Sequence, residues 1–264
     1  MAAVCDRSRL ERFLARAGSD IEKEFGLSCP APCVRTAGHT DDLRFSIDLE
    51  DVPIEEHEMY RNAFVLYDDP VHLDLAGIEG VEGKPLLTSG PSVWVAMAEE
   101  GRLRAAGIGF YDYVGVIVFR FRAAMRRHAG RFVGLQETRH IIQRVEKEYG
   151  DLTREVLKIV PVQRLAEILR RLVEEDVSLR NMRLILETLV MGGEKESKAP
   201  LLTEHVRQAL SRQICHRYAS AQKAIAAVVM THEADEIIRK SVREAPSGAF
   251  LALEADASQN LLDA

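Results

Sequence analysis

The chain has 264 residues, a length that predicts two domains, or several small ones around a divided core. Apolar residues make up 47% of it and charged residues 29%, as in ordinary globular proteins, so global disorder is excluded. The formal net charge of −6 argues against a nucleic-acid-binding protein, because such proteins normally carry a basic surplus on at least one domain.

The cysteines and the apolar runs predict a reduced protein without a membrane span. Of Cys5, Cys29, Cys33 and Cys215, only Cys29 and Cys33 are close together, and no second pair or nearby histidine completes a tetrahedral zinc set. We therefore expect reduced thiols in the cytosol. No apolar run is long enough to cross a bilayer, and the N-terminus lacks a signal-peptide pattern, so the chain as given is expected to be soluble.

The first 67 residues begin with a helix signal and continue with strand signals. Residues 7–25 predict an amphipathic helix that ends at Gly26, with Phe13 among the residues on its apolar face. Residues 28–41 predict a loop. Alternating apolar and polar residues predict a half-buried strand over 43–49, and a second strand is expected over 62–67.

The following segment predicts a small α+β unit. Residues 68–92 are rich in Gly, Pro and Asp and indicate a long connection with room for one short strand. A short strand at 93–95, a short helix over 99–106 and a strand over 108–111 follow. This order of short elements is typical of a small unit inserted into, or appended to, the first one.

From residue 112 the pattern is almost entirely helical. Apolar residues recur at helical spacing, and capping residues suggest where the helices begin. The predicted helices are an apolar stripe over 114–125, a helix over 136–149, a short helix capped by Asp151, a helix that begins at Pro161, a helix capped by Ser178 and a long helix over 201–218.

After residue 220 helix and strand signals mix again. The sequence predicts a strand over 224–230, a helix over 233–242 capped by Thr231, a strand over 250–253 and the start of a helix over 257–262. This β-α-β start without further strands leaves a sheet edge without a partner, which is unusual for a complete domain.

No set of residues predicts catalysis or a metal site. The eight histidines are scattered, and none lies in a zinc-protease pattern. The segment Glu56-His57-Glu58 has metal-binding side chains, but a solvated acidic turn is the expected structure. Cys215 and His216 are neighbours on a helix and point to different sides, so they form no nucleophile–base pair. We expect no enzyme activity and no cofactor.

One segment leaves DNA binding open as an alternative. Two short helices within 161–190, separated by the acidic turn 174–177, resemble a helix-turn-helix with 178–189 as the reading helix. The alternative protein would be a DNA-binding regulator with an α+β sensor domain. The acidic turn and the negative net charge argue against it, because both repel phosphate. A third possibility is that the charged stripes meet oppositely charged stripes on a neighbouring subunit.

Four motifs carry a resemblance to a known family. In chain order they are Gly134-Leu-Gln-Glu-Thr-Arg139, Val162-Gln-Arg-Leu-Ala-Glu-Ile-Leu169, Val177-Ser-Leu-Arg-Asn-Met-Arg-Leu-Ile-Leu-Glu-Thr-Leu189 and Leu202-Thr-Glu-His-Val-Arg-Gln-Ala-Leu210. In order and spacing they resemble the cytoplasmic domain of the major export-gate protein of bacterial type III secretion systems, which virulence injectisomes and flagella share. Residues 215–264 extend the similarity, 93–133 match more loosely, and Ser89–Trp94 departs from the flagellar pattern and favours the virulence branch.

The resemblance implies an α+β architecture of four subdomains. A first subdomain formed by residues 1–63 and 111–133 is interrupted by a small inserted unit, residues 64–110. A helical, ring-forming subdomain over 134–215 and an incomplete C-terminal α+β subdomain over 216–264 follow. Family members carry a membrane-spanning half before this region and continue beyond it, so the chain is expected to represent a fragment.

The resemblance also implies a non-enzymatic function without a cofactor. In the family the helical subdomain builds a homo-nonameric ring at the cytoplasmic face of the inner membrane. The outer parts receive secretion chaperones, export substrates, gatekeeper proteins and components of the export-ATPase complex, and pass cargo to the export channel. Nucleic acid has no part in this, and the membrane is contacted only through the membrane-spanning half.

Two groups of residues are candidates for these contacts. Four charged residues are predicted to lie where protomers of the ring meet, namely Arg164, Arg180, Arg183 and Glu187. Simple solvated helix faces are an equally good interpretation, since most surface charges contribute little. Chaperones or substrates are predicted to bind between the first subdomain and the inserted unit, near the aromatic residues Phe64, Trp94 and Tyr111. The alternative is that these three aromatic residues fill the core of the small unit.

Overall fold

A computed structural model describes residues 6–36, 43–194, 196–227, 229–245 and 248–262. Cys5 and the end of the loop predicted over 28–41 lie outside these ranges. The chain divides into two compact units, residues 1–211 and 212–264, which are described separately.

The first unit begins with helix α1 (Arg7–Phe25), which has the predicted bounds. Asp6 caps its first turn by accepting a hydrogen bond from the Arg9 amide (3.1 Å). Gly26 ends it in the left-handed conformation (φ 75°), which a glycine adopts without steric cost, and donates to the carbonyl of Glu22. The buried face lies along one side, at Leu10, Leu14, Ala17, Ile21 and Phe25.

A β-hairpin follows, of which only the first strand was predicted. β1 (Arg44–Leu49) pairs with β2 (Val52–Glu58) in antiparallel register, from Arg44 opposite Glu58 to Leu49 opposite Val52. Glu50 and Asp51 join the strands, and both have positive φ, as tight two-residue hairpins require. Pro53 and the acidic run after it conceal β2 in the sequence, but an outer strand of a two-stranded sheet tolerates a proline.

The segment over 63–111, named the sheet region from here on, forms a four-stranded antiparallel sheet with two short helices. In chain order its elements are β3 (Ala63–Leu66), α2 (Val71–Ala76), β4 (Val81–Gly83), β5 (Ser92–Ala96), α3 (Glu100–Ala105) and β6 (Phe110–Tyr111). The strand order is β4-β5-β3-β6. Alternate side chains serve two apolar clusters, with Val65 and Trp94 in one and Phe64 and Val95 in the other. The strand predictions at 62–67, 93–95 and 108–111 are confirmed.

Helix α4 (Tyr113–Arg127) follows β6 directly and packs along α1. Asp112 caps it by accepting from the Gly115 amide (2.8 Å). Its first turn also reaches the sheet region, where Tyr113 and Val116 join the cluster of Trp94. α4 therefore holds the sheet region and α1 together.

Five helices complete the first unit. They are α5 (Leu135–Glu146), α6 (Gly150–Ile159), α7 (Val162–Glu174), α8 (Met182–Gly193) and α9 (Ala199–Ala209). α7 packs on α5 and α9, and α8 packs on α6 and α9. Their common core includes side chains with no exposed surface, at Leu165, Leu169, Ile185, Leu186, Leu189 and Leu202. Because these buried residues are all apolar and recur at helical spacing, the helices could be predicted from the sequence.

Three details of the helix predictions are wrong. Asn181 caps α8, not Ser178, whose hydroxyl instead donates to the carbonyl of Glu24 at the end of α1 (2.6 Å). Asp151 lies inside the first turn of α6 and makes no capping bond. The single helix predicted over 201–218 is divided at Leu210, whose side chain is buried, and the chain continues as α10 (Ser211–Tyr218).

In the second unit, α11 (His232–Ser241) leads into a hairpin of β7 (Val242–Ala245) and β8 (Gly248–Leu251), and α12 (Ala255–Leu262) follows. Thr231 caps α11 as predicted, by accepting from the Ala234 amide (3.3 Å). The strand predicted over 224–230 is wrong for every residue described there; residue 228 lies outside the described ranges. The whole is a mixture of helices and small sheets, so the α+β class is confirmed.

Candidate docking site

A groove of about 700 Å³ lies where α1, α4 and the sheet region meet. Its apolar surface comes from all three parts, through Phe13, Phe64, Phe110, Tyr111, Val118 and Phe119. Four arginines also line it, namely Arg9, Arg104, Arg122 and Arg126. An aromatic floor with a charged rim is the usual composition of a surface that binds another protein.

Aromatic contacts fix the floor of the groove. The rings of Phe64 and Phe110 lie 4.5 Å apart. Tyr111 lies between Tyr67 at 4.5 Å and Phe119 at 5.7 Å, and burial raises the pKa of its hydroxyl. Gly115 makes this position possible, because a Cβ there would come within 2.9 Å of the Tyr111 ring. The rings thus form two packed sets, Phe64 with Phe110 and Tyr111 with Tyr67 and Phe119, and packed rings lose little conformational freedom on binding.

The arginines of the rim are held by carboxylates and by aromatic faces. Arg9 binds Asp112 (2.6 Å), and its guanidinium lies 5.6 Å from the centre of the Phe13 ring. Arg104 binds Glu100 (2.8 Å) and lies over Phe110 at 5.5 Å. These cation–π contacts extend the apolar floor with side chains that still offer hydrogen-bond donors to a ligand.

Two of the three predicted cargo residues line the groove. Phe64 and Tyr111 line the groove, the first buried and the second half-buried. Trp94 does not line the groove: it is buried in the cluster against which Tyr111 packs, where its ring lies 4.8 Å from Tyr60 and fits closely over Gly83. The position of Trp94 matches the alternative that the aromatic residue fills the core.

Sequence reasoning missed the most exposed aromatic residue of the groove. Phe13 was assigned to the apolar face of α1, but it is 42% exposed, and this assignment is wrong. Its neighbour in the helix, Leu14, is buried instead. The available signal was the position of Phe13 at the border of the apolar stripe, next to the arginine-rich side of α1.

The four residues predicted to lie at the interface between protomers of the ring differ in their ion-pair partners. Arg183 and Glu187 form an ion pair on α8 (2.8 Å), and the Arg183 guanidinium also lies 5.9 Å from the centre of the Tyr149 ring. The hydrogen bond and the charge of Glu187 raise the pKa of Arg183. Arg164 and Arg180 have no ion-pair partner within the part of the chain that the structure describes, so their charges are the ones open to a neighbour.

A buried ion cluster connects the β1–β2 hairpin to α4. The Glu55 side chain is 5% exposed, and its Oε2 accepts hydrogen bonds from Arg120 Nε (2.9 Å) and Nη2 (2.7 Å). His57 Nε2 lies 3.0 Å from the same oxygen, and Arg127 Nη1 lies 3.5 Å from Oε1. Burial alone would raise the pKa of Glu55, but hydrogen bonds from His57 and Arg120 outweigh it and lower the pKa. The acidic turn predicted at 56–58 is therefore wrong: these residues continue strand β2.

Within the described ranges, no three His, Cys, Asp or Glu side chains come together as metal ligands. No helix of the described part is both long and apolar enough to cross a membrane. Cys29, Cys33 and Cys215 are free thiols. Burial, and to a smaller extent the charge of the nearby Glu22, raises the pKa of the Cys29 thiol to about 12.

The fold and the groove together describe an α+β protein of several parts with an apolar, arginine-lined groove on its first unit. The chain belongs to the FHIPEP family, whose model matches residues 2–264. The resemblance to the export-gate protein of type III secretion systems is thereby confirmed. The family is a component of secretion export gates and is not a known enzyme family. Nothing among its relatives supports a DNA-binding regulator.

Among curated relatives, the low calcium response locus protein D of Yersinia pestis is 35% identical over 250 residues, which cover 95% of this chain and 36% of that protein. The probable translocation protein y4yR of Sinorhizobium fredii is 37% identical over 257 residues, covering 97% of this chain and 36% of that protein. The chain thus spans little more than a third of the length of these relatives.

Solved structures share the fold. The Chlamydia pneumoniae CdsV protein in its complex with CdsO is 27% identical, with a TM-score of 0.87, and the match covers 96% of this chain and 73% of that one. The nonameric EscV cytosolic domain from a type III secretion system has a TM-score of 0.78 at 22% identity, covering 98% of this chain and 77% of that one. The second likeness concerns the fold alone.

Proposed function

We propose that this chain is a non-enzymatic docking module of a type III secretion export gate, positioned at the cytoplasmic face of the inner membrane. It receives chaperones, export substrates and gatekeeper proteins and passes cargo toward the export channel. The observation that carries the proposal is the family match over residues 2–264. The groove is the surface of the first unit best suited to such a task.

Cargo or its chaperone binds in this groove by placing apolar side chains against the packed aromatic rings of its floor. The arginines of the rim, Arg9 and Arg104, orient the segment through its carboxylates or carbonyl oxygens. A rigid aromatic floor favours binding because few side chains must be ordered when the complex forms. Residues 64–110 act here as the inserted subdomain and residues 1–63 with 111–133 as the first subdomain.

The helical part, residues 134–215, forms the ring. Head-to-tail contacts between two different surfaces of one chain generate a ring when the rotation from copy to copy closes on itself. Arg164 and Arg180 suit such a contact because no carboxylate in the described ranges neutralises them, whereas Arg183 and Glu187 contribute as a pair. The nonameric state of the EscV domain supports nine copies, and the CdsV–CdsO complex supports a contact with the export-ATPase complex.

The groove proposal is tested with Phe13→Ser, because Phe13 is exposed and its loss leaves the core intact. Binding of purified secretion chaperones from the same organism is measured by titration calorimetry. We expect an affinity at least about tenfold lower, since an aromatic anchor contributes more than about 1 kcal/mol. Val52→Ser on the outer strand is the matched control and should bind normally. Unchanged binding by Phe13→Ser would refute the role of the groove.

The ring proposal is tested with Arg180→Glu and with Arg16→Glu as the control. Arg16 is an exposed arginine of α1 that likewise lacks an ion-pair partner in the described ranges. Sedimentation at high protein concentration should show weaker self-association for Arg180→Glu alone, and secretion by cells carrying the full-length variant should fall. Equal sedimentation of both variants and the original chain would contradict the assignment of Arg180.

A further inference from the structure

The outer face of α2 carries apolar side chains that none of the described residues of the first unit covers. Leu75 is 81% exposed, and Val71, one helical turn before it, is more than half exposed. Single exposed apolar residues are common, but neighbouring ones on one helix face indicate a contact surface.

A depression of about 330 Å³ adjoins this face, lined by Leu75, Ala76, Ala106 and Ile108 and by the side chains of Asp68 and His72. None of these residues lines the groove between α1 and α4. The depression is thus a separate site, with apolar walls and one carboxylate.

The carboxylate in the depression is held in a fixed orientation. Asp68 Oδ1 accepts from the Asp69 amide (2.9 Å) and lies 3.1 Å from His72 Nδ1, and Oδ2 accepts from the Gly109 amide (3.3 Å). These backbone amides lower the pKa of Asp68, so the group is ionised at neutral pH. A fixed, ionised carboxylate beside apolar walls suits a long cationic side chain, whose methylene stem packs while its head pairs.

The charged side chains around the depression are mostly negative, like Asp68 itself. Residues 62–83 contain no lysine or arginine, and their carboxylates are Asp68, Asp69, Asp74, Glu79 and Glu82. Arg102 of α3 lies at the end of α2, where it donates to the carbonyls of Ala76 (3.0 Å) and Gly77 (2.8 Å), and its charge is paired with Glu99 (2.8 Å), so the carboxylates still outnumber it. The field over α2 therefore attracts cations and repels acidic segments.

We propose that the outer face of α2 and its depression form a second docking surface, which takes a basic amphipathic helix of a partner protein. The apolar face of that helix covers Val71 and Leu75, and a lysine or arginine enters the depression and pairs with Asp68. The site shares no lining residue with the groove, so the docking proposal for either surface can be refuted without refuting the other.

The probe is a peptide of about four helical turns with leucine on one face and lysine on the other. Its fluorescently labelled form is titrated with the chain, and amide shifts are followed in the labelled protein. We expect binding that weakens with salt and shifts centred on residues 67–76 and 106–108. The same peptide with glutamate in place of lysine should not bind.

Leu75→Ser should weaken binding of the lysine peptide at least about tenfold, which corresponds to about 1.4 kcal/mol. Leu75→Lys, which preserves helix propensity, should weaken it at least as much. Met191→Ser removes a similarly exposed side chain from α8 and is the control, and Phe13→Ser in the groove should leave peptide binding unchanged.

Three results would overturn the proposal. They are equal binding of the glutamate peptide, an equal loss with Met191→Ser, and a change in sedimentation of the peptide-free chain on Leu75→Ser. The last would mean that a second copy of the chain covers this face.

Discussion

Loss of the Glu55 charge should destabilise the first unit more than loss of any exposed carboxylate on the same hairpin. Glu55→Gln keeps the shape of the side chain but leaves Arg120, whose side chain is only 15% exposed, and His57 facing a neutral group. Removal of one partner from a buried ion pair costs about 3–5 kcal/mol. We expect a loss near 3 kcal/mol, because Arg127 on the rim of the cluster can turn toward solvent.

For a unit of this size, about 1 kcal/mol corresponds to roughly 2–4 °C in Tm, so Glu55→Gln should lower the Tm by roughly 6–12 °C. Thermal unfolding followed by circular dichroism gives the value. Glu58→Gln is the matched control on the same strand: Glu58 binds Arg44 (2.6 Å) and Lys84 (3.0 Å) in solvent, where ion pairs contribute little. Equal shifts for both variants would refute the reasoning.

The same cluster predicts a dependence on pH. Hydrogen bonds lower the pKa of folded Glu55, so its stabilising contribution is complete above the pKa of the unfolded carboxyl, about 4.3, and is lost as the pH falls through the folded value. The Tm difference between the original chain and Glu55→Gln should therefore be full at pH 7 and should shrink below about pH 4. A difference that persists unchanged in acid would mean that packing, not charge, stabilises the cluster.

Three further predictions concern the framework of the site. Trp94→Ser should unfold the sheet region, with loss of near-ultraviolet circular dichroism, because the ring fills a core cluster; a folded variant with lost chaperone binding would instead make Trp94 a contact residue. Asn181→Ala should cost about 1 kcal/mol of unfolding free energy in urea through loss of the cap on α8. Gly115→Ala should displace the Tyr111 ring and change its fluorescence, whereas Gly101→Ala, where a Cβ meets nothing, should not.

The helices of the first unit were predictable because most bury one continuous stripe. α7 shows this best: Leu165, Ile168, Leu169 and Leu172 have no exposed surface and recur at helical spacing. The bounds were less predictable where a cap depends on a distant segment. Ser178 looks like a cap, but its hydroxyl donates to a carbonyl at the end of α1, more than 150 positions earlier in the chain. Local sequence cannot reveal such a partner.

Strand β2 was missed for a related reason. A run with Pro53, Glu55 and Glu56 lacks the alternation of apolar residues that indicates a strand. The strand is stable because Arg120 of α4 neutralises its buried carboxylate, and the side chain between Pro53 and Glu55, Ile54, is only half-buried. An acidic residue buried against a distant arginine has the same local signature as an acidic surface turn, so burial could not be inferred.

The groove could be predicted in position but not in composition. The family resemblance and the concentration of aromatic residues both directed attention to the junction around Phe64 and Tyr111. Which of the nearby rings face solvent depends on how α1 lies against α4, and a helical pattern does not specify that. Phe13 and Leu14 are adjacent and both apolar, yet only Leu14 is buried. Successive residues of a helix point in different directions, and Phe13 points into the groove. A residue at the border of an apolar stripe is therefore the one whose role a structure must decide, and here that residue is the best test of cargo binding.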